Sequence, residues 1–256
     1  MLHIVLSTLS AVAYGVAPLI YRPALHCTSQ FRAMSIFSLY SIFLGLLLPW
    51  KEINPVGVVE VVAAALLGGV AGSWLYVTSI KVGGASVGNI SSALYIALLP
   101  VVAGKYNLLP GALLVLLGLA LASTRDSGSK RGALYGILAA FVWTASINFY
   151  AAGVGVLGPG GSLFVRGLTV FLVTYLLGLG RGICRIGRLA AGGFVDTFLG
   201  FGAYTLAISY GDYVVATLIM STYPLVTALL EKPFKWRRAA GAAVSATGLV
   251  LVALSK

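Results

Sequence analysis

The sequence predicts an all-α integral membrane protein of ten transmembrane helices, arranged as two inverted five-helix repeats. Three observations predict it. Apolar residues make up 59% of the 256 residues and charged residues only 9%, whereas a water-soluble domain carries about a quarter charged residues. The apolar residues fall into runs of the ~20 residues a helix needs to cross a hydrocarbon core. Residues 1–124 and 132–256 also match one another at a nearly constant offset, with a polar linker, 125–131, between them.

The elements follow in order. Apolar runs place helices near 2–20, 32–50, 57–80, 84–104 and 107–124 in the first half. Those of the second half fall near 132–152, 162–180, 190–210, 213–231 and 236–255. Residues 2–20 read as a retained first helix, because no basic stretch or small-residue cleavage site precedes or follows them. Lys51-Glu52-Ile53-Asn54-Pro55 ends the second helix. Gly83-Gly84 and Gly211-Asp212 are turn signals for tight hairpins between the third and fourth and the eighth and ninth helices. Gly158-Pro159-Gly160-Gly161 separates the sixth from the seventh, and Arg181 to Arg188 the seventh from the eighth. GxxxG pairs at Gly68/Gly72 and Gly84/Gly88 suit helices that pack backbone to backbone in lipid.

The repeat rests on specific pairs. At an offset of 128, Tyr76 meets Tyr204, Ile80 meets Ile208, Gly72 meets Gly200 and Gly83 meets Gly211. At 129, Tyr14 meets Trp143 and Ser92 meets Ser221; at 130, Gly111 meets Gly241 and Gly118 meets Gly248. Four glycine pairs stand where roughly two are expected by chance, so the shared order and spacing of the helices is the stronger argument. Five helices per repeat is an odd number, so the second copy enters the bilayer inverted.

The net charge of +11 is spread singly between apolar runs, which fits short membrane loops and excludes nucleic acid as a partner. Ten spans put Lys51, Lys105, Arg166 and Lys256 on the face of the termini and the other thirteen basic residues on the opposite face. The positive-inside rule then places the termini outside and the basic loops in the cytoplasm of a multi-pass plasma-membrane protein. Cys27 and Cys184 share no motif and suggest neither a metal site nor a disulfide framework. No catalytic constellation, phosphate-binding loop or nucleotide domain is legible, so neither an enzyme nor an ATP-driven pump is expected, and no cofactor or metal.

Polar and aromatic residues inside the spans mark the candidate site. Asn89, Ser92 and Tyr95 share a face of the fourth helix by the 3.6-residue period, and Thr217 and Ser221 do so on the ninth, beside Tyr223. Trp143 and Asn148 lie in the sixth helix, Tyr14 in the first, and Tyr76 and Tyr204 in the third and eighth. Polar groups in lipid need partners or a wet cavity, and stripes recurring in both halves favour a shared cavity between them. Asp196 reads as a buried carboxylate or as an interfacial residue near a helix N-terminus. Glu60 is weighed the same way, and both are the candidate proton-coupling residues. No basic residue is placed at mid-membrane, so an anion is not the expected cargo.

These patterns resemble the drug/metabolite transporter superfamily, of the EamA-like ten-helix type. The first half carries Ala11-Val12-Ala13-Tyr14-Gly15, Arg32, Tyr76 to Lys81, Gly84-Ala85-Ser86-Val87, Pro100, Gly111 and Gly118. The second carries Ala139 to Trp143, Asn148-Phe149, Arg166, Tyr204 to Tyr210, Ser221-Thr222-Tyr223-Pro224, Glu231, Gly241 and Gly248. Two features depart from the family pattern: no acid stands near Lys105 to match Glu231, and the charge split argues against cytoplasmic termini. The resemblance implies a secondary transporter, an exporter of a small neutral or zwitterionic metabolite such as an amino acid or drug-like solute. Such a protein works by alternating access as monomer or homodimer, with protons as a candidate coupling ion. A lipid-linked flippase or channel on the same scaffold is the alternative.

Overall fold

The computed structural model describes residues 1–83, 85–122, 129–230 and 236–255. Most of the linker expected at 125–131, and Gly84 and Glu231, lie outside the described residues. All regular structure among the described residues is helical. Helix α1 spans Leu2–Leu25, α2 Gln30–Leu47, α3 Pro55–Ala64 and α4 Ser73–Gly83. Then follow α5 Ala85–Ser92, α6 Tyr95–Val102, α7 Leu109–Ala122 and α8 Lys130–Leu177. The chain closes with α9 Ile186–Gly193, α10 Gly202–Tyr210, α11 Tyr213–Met220, α12 Tyr223–Leu230 and α13 Trp236–Leu254.

Local chemistry accounts for the boundaries. Ser29, Asn54, Ser129 and Asp212 each accept a backbone N–H at the start of α2, α3, α8 and α11, satisfying donors that have no partner inside the helix. Asn54 is followed by Pro55, whose fixed φ suits the first helical turn. Helix α8 is two legs joined at Gly158, which adopts φ 75° and ψ 173°. That conformation is open to glycine alone, and Pro159 starts the second leg at once. The predicted sixth and seventh helices are therefore nearly continuous, and the second leg begins three residues earlier than expected.

Two rods widen to π-helical pitch in the middle. Ala65–Gly72 separates α3 from α4, and Phe194–Phe201 separates α9 from α10. The expected fourth and ninth helices are each broken, by turns at residues 93–94 and 221–222.

Glycine sets the closest approaches. A β-carbon at Gly111 would sit 2.7 Å from the carbonyl oxygen of Gly248, and one at Gly248 would sit 2.6 Å from that of Gly111. Gly118 and Gly241 show the same reciprocity, at 2.4 Å each way, so α7 and α13 run antiparallel with backbones in contact. Gly45 against Phe164 and Gly167 against Ile42 fasten α2 to the second leg of α8 in the same fashion.

Helix α1 packs against α9, the 194–201 stretch, α10, α11 and α12. The first leg of α8 packs against α3, the 65–72 stretch, α4 and α5. These two groups form facing walls.

The chain ends of the bundle can be told apart. At the terminal end, His3 packs on Gly211, the backbone of Lys51 bonds that of Leu157, and Lys105 pairs with Asp212. At the opposite end Cys27 and Cys184 form a disulfide with a Cα–Cα separation of 5.9 Å. This corrects the expectation drawn from cysteine spacing. The two residues are 157 positions apart, and only the packing of α1 along α9 brings them together. Thr28 reinforces the junction, its hydroxyl accepting from the Cys184 N–H at 3.0 Å.

Candidate functional site

A cavity of about 400 Å³ lies between the two walls, within the range of small-molecule sites. It runs from mid-bundle toward the disulfide end. Along α1 the lining residues are Tyr14, Pro18, Tyr21 and Leu25, progressing toward that end, and on α2 they are Gln30, Ala33, Met34 and Phe37, all in its first half.

Aromatic rings form much of the wall. Tyr76 and Tyr95 pack on Trp143 with centroids at 5.3 and 5.8 Å, and Tyr14 on Tyr223 at 5.9 Å. The π-helical stretches make room for them. A β-carbon at Gly72 would sit 2.6 Å from the Trp143 indole nitrogen, so only glycine permits that contact. The indole in turn donates to the Gly68 carbonyl at 3.2 Å, an oxygen that also accepts from Ser73 at 3.1 Å. π-helical stretches commonly mark functional sites because they displace backbone groups from the regular ladder.

Two charged side chains line this cavity, Arg166 and Asp196. Arg166 stands seven residues past Pro159, about 10 Å into the second leg at 1.5 Å per residue. Its guanidinium carbon lies 3.7 Å from the Phe201 ring centroid, a cation–π contact, and its Nη2 lies near Gly69 of the first π-helical stretch. Arg166, which the sequence placed beside a loop, thus lines the cavity between the two walls. Asp196 lies ten residues into the α9 rod, in the second π-helical stretch, and accepts from the Thr197 hydroxyl at 3.3 Å. Charges inside a bilayer are costly, and both of these line the cavity.

Of the residues predicted from sequence, Tyr14, Tyr76, Tyr95, Trp143, Tyr204, Tyr223 and Asp196 line this cavity. Ser92 and Ser221 meet elsewhere, at the two helix breaks, in a pocket of about 10 Å³ that Tyr95 and Tyr223 also border. That pocket holds at most one water. Asn148 and Thr217 lie below the cavity. The Tyr213 hydroxyl donates to Asn148 at 2.7 Å, and the Tyr204 hydroxyl lies 2.7 Å from Thr217. Glu60 is half-buried near the start of α3, away from the lining, and the side chain of Asn89 lies outside the described residues. Sequence reasoning missed Tyr21, Gln30, Ser73, Ser146, Tyr150, Arg166 and Phe201. Pro159 at a helix start was the available signal for Arg166.

The cavity is closed toward the terminal end. Tyr150 bonds Thr205 at 2.8 Å; since Thr205 already donates to the Phe201 carbonyl, Tyr150 is the donor. Below it lie the Tyr213–Asn148 bond and the Lys105–Asp212 ion pair, the latter linking the α6–α7 connector to the start of α11.

Residues 130–254 match the model of the EamA-like transporter family. No curated protein matches the sequence. Among the solved structures that share the fold, one crystal structure matches with a TM-score of 0.76 over 98% of this chain and 97% of that one, at 14% sequence identity.

Proposed function

We propose that the chain, whose residues 130–254 match the EamA-like transporter family model, is a multi-pass secondary transporter of small zwitterionic solutes. The carrying observation is the pair Arg166 and Asp196 on one aromatic-lined cavity. The guanidinium offers a fork for a carboxylate, Asp196 a counter-charge for an ammonium, and Tyr14, Tyr76, Trp143 and Tyr223 take the apolar remainder. A cavity with one charge of each sign favours a solute with one of each over a simple anion or cation. Export from the cell and proton coupling through Asp196 complete the reading.

The architecture we propose is ten spans in two inverted repeats, 1–124 and 132–256. Six described helices are long and apolar enough to cross a bilayer, one of them the 48-residue α8, which is long enough to cross twice, and three shorter apolar helices accompany them. The π-helical stretches at 65–72 and 194–201 are offset by 129 residues, and α6 and α12 start at Tyr95 and Tyr223 after matching breaks. The contact Gly111–Gly248 becomes Gly241–Gly118 under an offset of 130, as a two-fold axis perpendicular to antiparallel helices requires. Discontinuous helices around a central site are the usual build of such transporters.

A counterflow screen in proteoliposomes tests this function. Vesicles loaded with a metabolite mixture should exchange zwitterions, and Arg166→Gln should slow the exchange about ten- to hundred-fold. Exchange confined to simple anions or cations, or untouched by Arg166→Gln, contradicts the reading.

A further inference from the structure

We propose that Tyr21 is the gate residue of the cavity's open end, and that it closes onto the Tyr76–Val77 turn of α4 when the cavity faces the other way. The inference rests on the transport reading above and adds to it the residues that move. At the closed end the seal is Tyr150 on Thr205, 3% and 0% exposed. Tyr150 stands seven residues after Trp143, as Tyr21 stands seven after Tyr14, and Tyr204-Thr205 matches Tyr76-Val77. Tyr150 and Thr205 belong to opposite walls, and so do Tyr21 and Val77. Tyr21 packs on Phe37 at 5.2 Å and against Gly192 of α9, while Tyr76 packs on Trp143 of α8. Both Tyr21 and Val77 line the cavity toward its open end. The pair whose counterpart is bonded shut at the terminal end thus lines the cavity from opposite walls at the other end, the arrangement two alternating gates require.

The two gates differ in one atom group. Thr205 accepts the Tyr150 hydroxyl, whereas valine stands at the matching place and offers no acceptor. The seal at the terminal end is stronger by one buried hydrogen bond, so the protein rests with the cavity open at the disulfide end.

Oxidative cross-linking tests the gate. In the full chain in proteoliposomes, Tyr21→Cys/Val77→Cys is compared with Tyr150→Cys/Thr205→Cys, and each bridge is identified by peptide mass so that the Cys27–Cys184 bridge is not counted. The 150–205 pair should cross-link fast, which also reports folding. The 21–77 pair should cross-link slowly, and about five-fold faster when Thr205→Val removes one net hydrogen bond from the opposite seal. Absence of the 21–77 bridge in both backgrounds, with 150–205 forming, overturns the gate. A 21–77 bridge in a protein that shows no counterflow leaves the gate standing and overturns the transport reading instead. Val77→Thr gives an independent check that needs no added cysteine. It should speed hydrogen exchange across residues 203–216 and slow it across 17–25, and no change in either segment also overturns the proposal.

Discussion

The Arg166 guanidinium rests 3.7 Å from the centre of the Phe201 ring, which holds a cavity-lining cation against an aromatic face. The contact orients Arg166 without consuming its N–H donors, which remain able to grip a carboxylate. Arg166→Gln removes a charge-assisted interaction worth about 1.5–3 kcal/mol, so transport efficiency should fall about ten- to hundred-fold. Arg166→Lys should fall between, because an ammonium keeps the charge and loses the planar fork. Initial-rate uptake into proteoliposomes measures both.

Asp196 faces the same cavity from the second π-helical stretch. If it carries the coupling proton, Asp196→Asn loses uptake driven by a pH gradient and retains counterflow, because exchange needs no net proton movement. Unchanged driven uptake in Asp196→Asn removes this residue from coupling.

The reciprocal glycines of α7 and α13 give a stability prediction separable from function. A β-carbon at Gly118 would meet the Gly241 carbonyl at 2.4 Å, and backbone cannot yield as a side chain can. Gly118→Ala should destabilise by about 1–3 kcal/mol and Gly118→Leu more, the ordinary cost of overpacking. Thermal unfolding in detergent reads this. Solute affinity should change little, since neither helix lines the cavity.

The Cys27–Cys184 bridge ties the α1–α2 connector to the connector before α9. Its removal by Cys184→Ser, or by reductant, should lower stability by about 2–4 kcal/mol, read as a fall in melting temperature. The bridge and the loop charges pull orientation in opposite directions, because disulfides persist in oxidising compartments. The excess of basic loops at that end predicts a cytoplasmic face. An impermeant maleimide should then fail to label intact cells even after an impermeant reductant. Labelling under those conditions would invert the topology.

Much of the fold was legible because a bilayer imposes strong rules. Apolar runs and glycine turns anticipated several helices long and apolar enough to cross a bilayer, and the aromatic residues Tyr14, Tyr76, Trp143, Tyr204 and Tyr223 do line one cavity. The rest depended on information that period and spacing do not carry. Arg166 was placed near a loop because Gly158 to Gly161 reads as a loop, whereas Gly158 makes the whole reversal and Pro159 resumes the helix. Asn148 and Thr217 looked like lining because they are polar in a span, and they serve Tyr213 and Tyr204 instead. The disulfide joins residues whose proximity exists only after α1 has packed on α9.

Trans-stimulation tests the central claim most directly. In proteoliposomes, uptake of a labelled zwitterion should saturate with concentration and rise several-fold when the lumen is preloaded with the unlabelled solute, because a loaded carrier returns faster than an empty one. Uptake that grows linearly with concentration and ignores the solute on the far side would mean a channel, and would contradict a cavity that opens to one face at a time.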